Sequence, residues 1–453
     1  MTASVLRRIV ALQAGLFLAL VAVASCRENT PVSPAGMTPP SFAKGGPNTG
    51  LSVASTTPSS APRNTTLNVT VSGSGFEQGS RAIWALNGDT TFATTKIKTN
   101  STTVVSASKL TANISISGDA PLDRYDVQVV TLSGRKGIGI ELFTVTYEII
   151  DLGAGDGSTA AAINDNNQIV GGGGTGVGAF LWENGVLRQL GMPPGFTSFR
   201  AEDINDNGVV VGYGMNAQGA TQAVIWTEAA GAQVLAGSLG GSYTLARRIN
   251  DQGLIVGESG VPGGGAAHTV VWENGVIRDI QGFASGSTYP WGVSNTGIVV
   301  GQWNAPGAAA YSWSPSAGMS VMAGLEGPDD IPLAVNDAGQ IVGWYKRTPT
   351  DVNKAFLWVN GAITDLGTLG GQSSVATAIN NGGQAVGRAD LATKRGTSPV
   401  HHAFLWAVGG MKDLGTFSDR PWAQANDIND VGVVVGETIA AKGMTRATLW
   451  KIR

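Results

Sequence analysis

From residue 151 onward one pattern of apolar and polar positions returns again and again, clearest in Ala378-Ile-Asn-Asn-Gly-Gly-Gln-Ala-Val-Gly387 followed by Ala403-Phe-Leu-Trp406 and Asp413-Leu-Gly415. An Ile-Asn-Asp-like turn stands at Asn164, Asn205, Asn250, Ser294, Asn336, Asn380 and Asn429, in steps of 41 to 49 residues. Each turn leads into a short apolar run that ends in glycine, at Gly171, Gly212, Gly257, Gly301, Gly343, Gly387 and Gly436. A tryptophan then closes each copy's third apolar segment, at Trp182, Trp226, Trp272, Trp313, Trp358, Trp406 and Trp450. Self-similarity with a period of about 40–50 residues predicts a propeller or a solenoid.

Within a copy the strands can be read directly. Ala201-Glu-Asp-Ile-Asn205 predicts a first strand, Val209-Val-Val-Gly212 a second, and Gln222-Ala-Val-Ile-Trp226 a third. The fourth follows a tight turn, as in Trp272-Glu-Asn-Gly-Val-Ile-Arg-Asp279, where Asn-Gly between apolar runs marks a two-residue hairpin. The second strand is apolar without alternation, as a strand covered on both faces should be. The last copy ends at Trp450-Lys-Ile-Arg453 without its Asp-Leu-Gly strand, and Tyr147-Glu-Ile-Ile-Asp-Leu-Gly153 offers that strand ahead of the first copy. One end therefore completes the other's sheet, which closes a ring of seven four-stranded blades and removes free edges.

Upstream, between about 51 and 147, the pattern changes to period-two alternation in Leu67-Asn-Val-Thr-Val71, Arg81-Ala-Ile-Trp-Ala85, Thr102-Thr-Val-Val-Ser106, Ala112-Asn-Ile-Ser-Ile116, Tyr125-Asp-Val-Gln-Val-Val130 and Glu141-Leu-Phe-Thr-Val145. Six or seven half-buried strands of this kind predict a small β-sandwich. The fold class expected is thus all-β: a sandwich over 51–147, then a propeller over 148–453.

The amino terminus differs again. Arg7 and Arg8 precede an apolar run from Ile9 to Ala24, and then small residues, which is the layout of an export signal over residues 1–25. Residues 26–50, with Pro31, Pro34, Pro39, Pro40 and Pro47 among Ser, Thr and Gly, bury too little apolar surface to fold alone and form a tether.

Composition narrows the function. The chain of 453 residues carries a net charge of -3, so no basic excess exists to neutralise phosphates and nucleic acid is not an expected partner. Charged residues make up 13% against roughly 25% in an average soluble protein, whereas the 65 glycines are about twice the usual ~7% share. Many short strands joined by tight turns account for both.

Three resemblances follow from these residues. Val23-Ala-Ser-Cys26 resembles the bacterial lipobox, which implies that Cys26, the only cysteine, is lipidated and that the protein is held at the outer membrane or cell surface through that anchor. Val69-Thr-Val-Ser-Gly-Ser-Gly-Phe76 with Phe143-Thr-Val145 resembles an IPT/TIG immunoglobulin-like domain, which implies a spacer or adhesive unit. His402-Ala-Phe-Leu-Trp406, Asp365-Leu-Gly-Thr-Leu-Gly-Gly371 and Ile249-Asn-Asp-Gln-Gly-Leu-Ile-Val-Gly257 resemble the HAF-repeat family of probable extracellular repeat proteins, a resemblance that implies no chemistry.

Candidate chemistry is sparse. Asp203-Ile-Asn-Asp-Asn-Gly208 has oxygen ligands at alternate positions, yet Gly214 stands where a calcium loop needs its bidentate acid, and Asn and Asp serve such turns by bonding their own backbone. No metal, cofactor or catalytic constellation is read. If the short turns share one end of every blade, the long variable connections share the other, which makes that face the binding-face candidate. Its irregular residues are Tyr213, Tyr289, Trp291, Trp303, Asp329, Asp330, Trp344, Tyr345, Arg420 and Trp422. Aromatics with a few acids suit a sugar ring or a protein partner. Such aromatics also serve simply to cap a sheet. The expected function is a binding protein for glycan or protein; the alternative is a carbohydrate-active hydrolase or lyase on the same face, which a cluster of Asp329, Asp330 or Glu326 with Arg420 would favour.

Overall fold

The computed structural model describes residues 50–92, 96–173, 178–305, 307, 309–348, 350–392, 398–417, 420–440 and 442–452, and Cys26 with the segments 1–25 and 26–49 lies outside them. Every regular element among the described residues is a β-strand, and the strands form nine four-stranded sheets.

Two of these sheets face each other between residues 52 and 146. One has the order Ser52–Thr57, Thr66–Ser74, Lys109–Ile116, Ile97–Ser106; the other has the order Ser60–Pro62, Lys136–Thr146, Arg124–Val130, Arg81–Leu86. Alternation puts Val69, Val71, Leu110, Ile114, Trp84, Val127 and Phe143 between them, with the Trp84 and Phe143 rings edge to face at 5.0 Å. The two short strands Ser52–Thr57 and Ser60–Pro62 were not legible in the alternation, because Ser, Thr and Pro carry no apolar period of their own. Leu122 packs on both this core and the one holding Tyr147 and Trp450, and Arg63 donates to the carbonyl of Ile452 at 3.3 Å, so the sandwich rests on the last repeat.

The other seven sheets are antiparallel meanders. A representative one runs Thr244–Ile249, Ile255–Gly260, Ala267–Glu273, Val276–Asp279 in chain order. In the last, Trp422–Ile428, Val433–Ile439 and Thr445–Lys451 are completed by Glu148–Asp151, with Trp450 opposite Ile149. Innermost strands touch their neighbours all the way round, Ser158–Ile163 meeting both Phe196–Ile204 and Trp422–Ile428.

Three features of the repeat have local causes. The Asn-Gly turns at Asn184, Asn274 and Asn360 hold φ of 51°, 52° and 49°, the left-handed region that a two-residue hairpin demands. The glycine ending the second strand is required by close approach: a Cβ at Gly257 would stand 1.8 Å from the carbonyl oxygen of Leu245, and one at Gly212 1.9 Å from that of Arg200. That approach arises because every innermost strand carries a register shift at the same place, Ala246/Arg248 in one sheet and Ala425/Asp427 in another. Where histidine stands second in the third strand, it bonds the aspartate of the fourth: His402 Nδ1 to Asp413 at 2.9 Å and His268 Nδ1 to Asp279 at 2.8 Å.

The turn asparagine does more than fold its own turn. Its Oδ1 accepts the N–H four residues on, as Leu254 N to Asn250 at 2.8 Å, while its Nδ2 donates to the corresponding carbonyl of the next sheet, as Asn250 to Ser294 O at 3.0 Å. The following residue adds a second link: Asp206 N–H donates to Asp251 Oδ1 at 2.8 Å, and the series runs on to Asp430 N–H on Asp165 Oδ1 at 2.8 Å. Asn429 Nδ2 reaches Asn164 O at 3.0 Å, so the last sheet joins the first by the same bonds that the other turn asparagines make.

Candidate functional site

Two polar constellations surround the ring axis, and both stand on strands and turns of the repeat rather than on its long connections.

The first is at the turn end. A polar cavity of about 200 Å³ is lined by all seven Ile-Asn-Asp-like turns, with Asp203, Arg248 and Asp427 on its inner wall. The three residues occupy the same place in their units, two before the turn asparagine, where other units carry alanine or glycine. Asp427 accepts the N–H groups of Ile428 and, across the closure, Ile163, both at 2.9 Å; Asp203 accepts those of Ile204 and Ile249, also at 2.9 Å. Burial pushes Asp427 up to about 7, helped by the charge of Asp203 and opposed by these donors and Arg248. Burial likewise pushes Asp203 up to about 6. Around the rim, Asp165 and Asp206 are also raised, by burial first, although each accepts a neighbour's N–H. These oxygens hold the ring together, and the cavity is a consequence of that bonding.

The second constellation lies further along the axis, toward the long connections. It is built from positions where the repeat changes its residue freely: the one after the invariant glycine, and those three and five before the turn asparagine. Arg200 donates to Glu202 at 2.5 Å, and Arg247 to Glu258 at 2.8 Å. Burial works against the Arg247 charge, but Glu258 and Glu202 outweigh it and its pKa rises. The Arg247 guanidinium lies over the Trp291 ring at 5.3 Å and the Tyr213 ring at 6.0 Å. Trp291 is half-buried, and its indole N–H has no partner in the protein among the described residues. On the opposite arc Glu437 accepts the Thr159 hydroxyl, and Arg388 donates to Gln424 Oε1 at 3.2 Å, while Gln424 Nε2 donates to Asn426 Oδ1 at 2.9 Å.

The residues singled out from sequence divide between this wall and the scaffold around it. Tyr213 and Trp291 share Arg247; Trp344, half-buried, stands after the invariant glycine as Tyr213 does, with the Lys346 ammonium 5.6 Å from its ring, and Tyr289, half-buried, stands five before the turn residue as Arg200 does. Trp303 is stacked on Phe283 at 4.3 Å and donates to Ser285 O, which pins a connection. Tyr345 is buried against Phe356 under Arg347. Arg420 is buried and clasps Asp156 at 2.7 Å and the Met444 carbonyl at 2.8 Å, and Trp422 reaches Pro399 O at 3.4 Å. Asp330 is buried and accepts the Gly327 N–H, Asp329 stands 3.9 Å from Lys346, and Glu326 accepts the Gly324 N–H. Each acid thus has a partner of its own, and none of these bonds brings one to Arg420.

Glu202, Arg247, Glu258, Arg388 and Glu437 are not among the residues expected from sequence, because they stand inside strands and not on the long connections. The signal that could have found them is the unlikeness of Tyr213, Glu258, Gln302, Trp344, Arg388 and Glu437 at one repeat position between invariant neighbours.

No protein-family model and no curated protein matches the chain. Solved structures that are similar to it include TolB from Acinetobacter baumannii, at 13% identity over 55% of this chain and 65% of that one, TM-score 0.37. A gluconolactonase from Xanthomonas campestris is 11% identical over 67% of this chain and 89% of that one, TM-score 0.34. The Aleuria aurantia lectin in complex with α-methyl-L-fucoside is 13% identical over 55% and 90%, TM-score 0.30. Likenesses this distant carry no argument about chemistry. The chain's own sheets make it a propeller-like, all-β repeat protein.

Proposed function

We propose that the protein is an exported binding protein, lipid-anchored through Cys26 at the outer membrane or cell surface. A tether over 26–50 and an immunoglobulin-like spacer over 51–147 present a seven-bladed propeller over 148–453, which takes a glycan through the axial wall facing its long connections. The seven meanders and their closing bonds support the blade count, and the two facing sheets support the spacer. The observation that carries the ligand reading is the Tyr213–Arg247–Trp291 arrangement. It sets two aromatic faces and an indole N–H beside charged hydrogen-bonding groups, the combination a sugar's apolar face and hydroxyls require.

A glycan array probed with the mature protein and with a Trp291→Ala, Trp344→Ala double variant tests this. Loss of signal is expected; an unchanged profile would remove the proposed wall. The hydrolase or lyase alternative has less support, since Asp329, Asp330, Glu326 and Arg420 have separate partners.

A further inference from the structure

Resting on the glycan-binding reading, we propose that the axial wall selects a carboxylate-bearing sugar, a uronic acid, whose carboxylate is held by Arg388. Among the guanidinium groups of this wall, Arg200 and Arg247 are paired with Glu202 and Glu258. Arg388 differs. Its one hydrogen bond within the described residues goes to a neutral amide oxygen, Gln424 Oε1, at 3.2 Å. A guanidinium carries five N–H donors, so four remain to be used, and their planar fork matches a carboxylate in two parallel bonds.

The two carboxylates that act on Arg388 each accept a bond from another group. Asp390 accepts the Ser373 N–H at 3.1 Å, and Glu437 accepts the Thr159 hydroxyl. Both still act on Arg388 through space, yet burial outweighs them and its pKa is lowered, the mark of a cation short of countercharge. His401 shares this corner: it opens the strand paired with Ala385–Leu391, opposite Asp390, and its buried Nε2 has no partner within the described residues. Burial first, then the Arg388 charge, lowers it to about 4, so at neutral pH the imidazole is uncharged and adds a hydrogen-bonding nitrogen without repelling a cation. Asp390 and Glu437 nearby favour a planar, singly charged group over a phosphate dianion, which they would repel.

Uronate oligosaccharides and their carboxyl-reduced counterparts, identical except for that group, provide the test by calorimetry. The intact protein is expected to bind the uronate form at least tenfold more tightly. Arg388→Gln should abolish the difference while leaving the unfolding midpoint in place. Should that variant fail to fold, Gln424→Glu supplies an internal carboxylate at the existing bond and should abolish the preference equally. Equal binding of the two sugars by the intact protein, or a preference that survives in a folded variant, overturns the inference and leaves glycan binding standing. Binding of neither sugar, with an empty glycan array, overturns both.

Discussion

Changing Ser294 to asparagine should make the protein more stable, an uncommon expectation for a buried polar substitution. Six turn asparagines donate Nδ2 to the next sheet's carbonyl at 2.9 to 3.0 Å, as Asn164 to Asn205 and Asn336 to Asn380. At the fourth unit Ser294 keeps the acceptor half of the role, taking the Ile298 N–H at 3.1 Å, but its hydroxyl turns to Thr296 and is too short to reach Asn336 O. Its backbone already follows the pattern of the others, with Ser294 N to Ile298 O at 2.9 Å and Gly297 N to Ser294 O at 3.0 Å, so no rearrangement is needed. The gain is one neutral hydrogen bond inside the protein, about 1 kcal/mol, reduced by the rotamer freedom the new side chain loses. The converse change, Asn250→Ser, removes the same bond and should cost about 1–2 kcal/mol. Urea unfolding followed by tryptophan fluorescence reads both as midpoint shifts at constant slope. A Ser294→Asn midpoint at or below the parent's, with Asn250→Ser neutral, would refute the inter-sheet role of the asparagines.

Other outcomes follow from the same contacts. Gly257→Ala places a Cβ 1.8 Å from Leu245 O and should cost about 3 kcal/mol or more, the upper end of overpacking, whereas Gly178→Ala, with nothing within 4 Å, should stay within about 0.5 kcal/mol in the same urea assay. Asp427 and Asp203 have folded pKa values of about 7 and about 6, above their unfolded values near 4, so the folded state holds extra protons between those limits. Stability should therefore fall as pH rises from about 4 to about 7, and Asp427→Ala, the residue type found at this position in other units, should flatten that slope; a rising profile in the parent would contradict the assignment. Arg420→Ala removes a buried side chain together with its bonds to Asp156 and the Met444 carbonyl, so melting should drop while any glycan binding by the folded protein persists.

What could be read from sequence was whatever a segment decides alone. Asn274-Gly275 fixes its hairpin because two adjacent residues must take positive φ, and the unalternating Leu254-Ile-Val256 run shows that both faces of its strand are covered. Even the pairing of Glu148–Asp151 with Thr445–Lys451 was legible, since a strand missing at one end of a periodic array must come from the other. What could not be read depends on partners outside the segment itself. Asn205 looks like a residue that bonds its own turn, and it does, but its amide is spent on Asn250 O in the next sheet. Gly387 looks like a turn glycine, yet its neighbour Val375 O, 2.0 Å from where a Cβ would stand, excludes any side chain. The axial wall was hidden for a related reason: Arg247 and Arg388 lie inside strands, where charge is uncommon, and only closure of the ring turns those strand faces into a lined interior.

That closure is the claim on which the rest depends, and a pair of introduced cysteines tests it most directly. Glu148 and Lys451 are opposite partners at the junction, their side chains 3.3 Å apart. Cysteines at both positions, in a Cys26→Ser background, should form a disulfide on mild oxidation, because opposed Cα atoms in an antiparallel pair lie within disulfide reach. A single linked peptide pair on digestion and a raised unfolding midpoint are expected. Two thiols that stay free in the folded protein would contradict it.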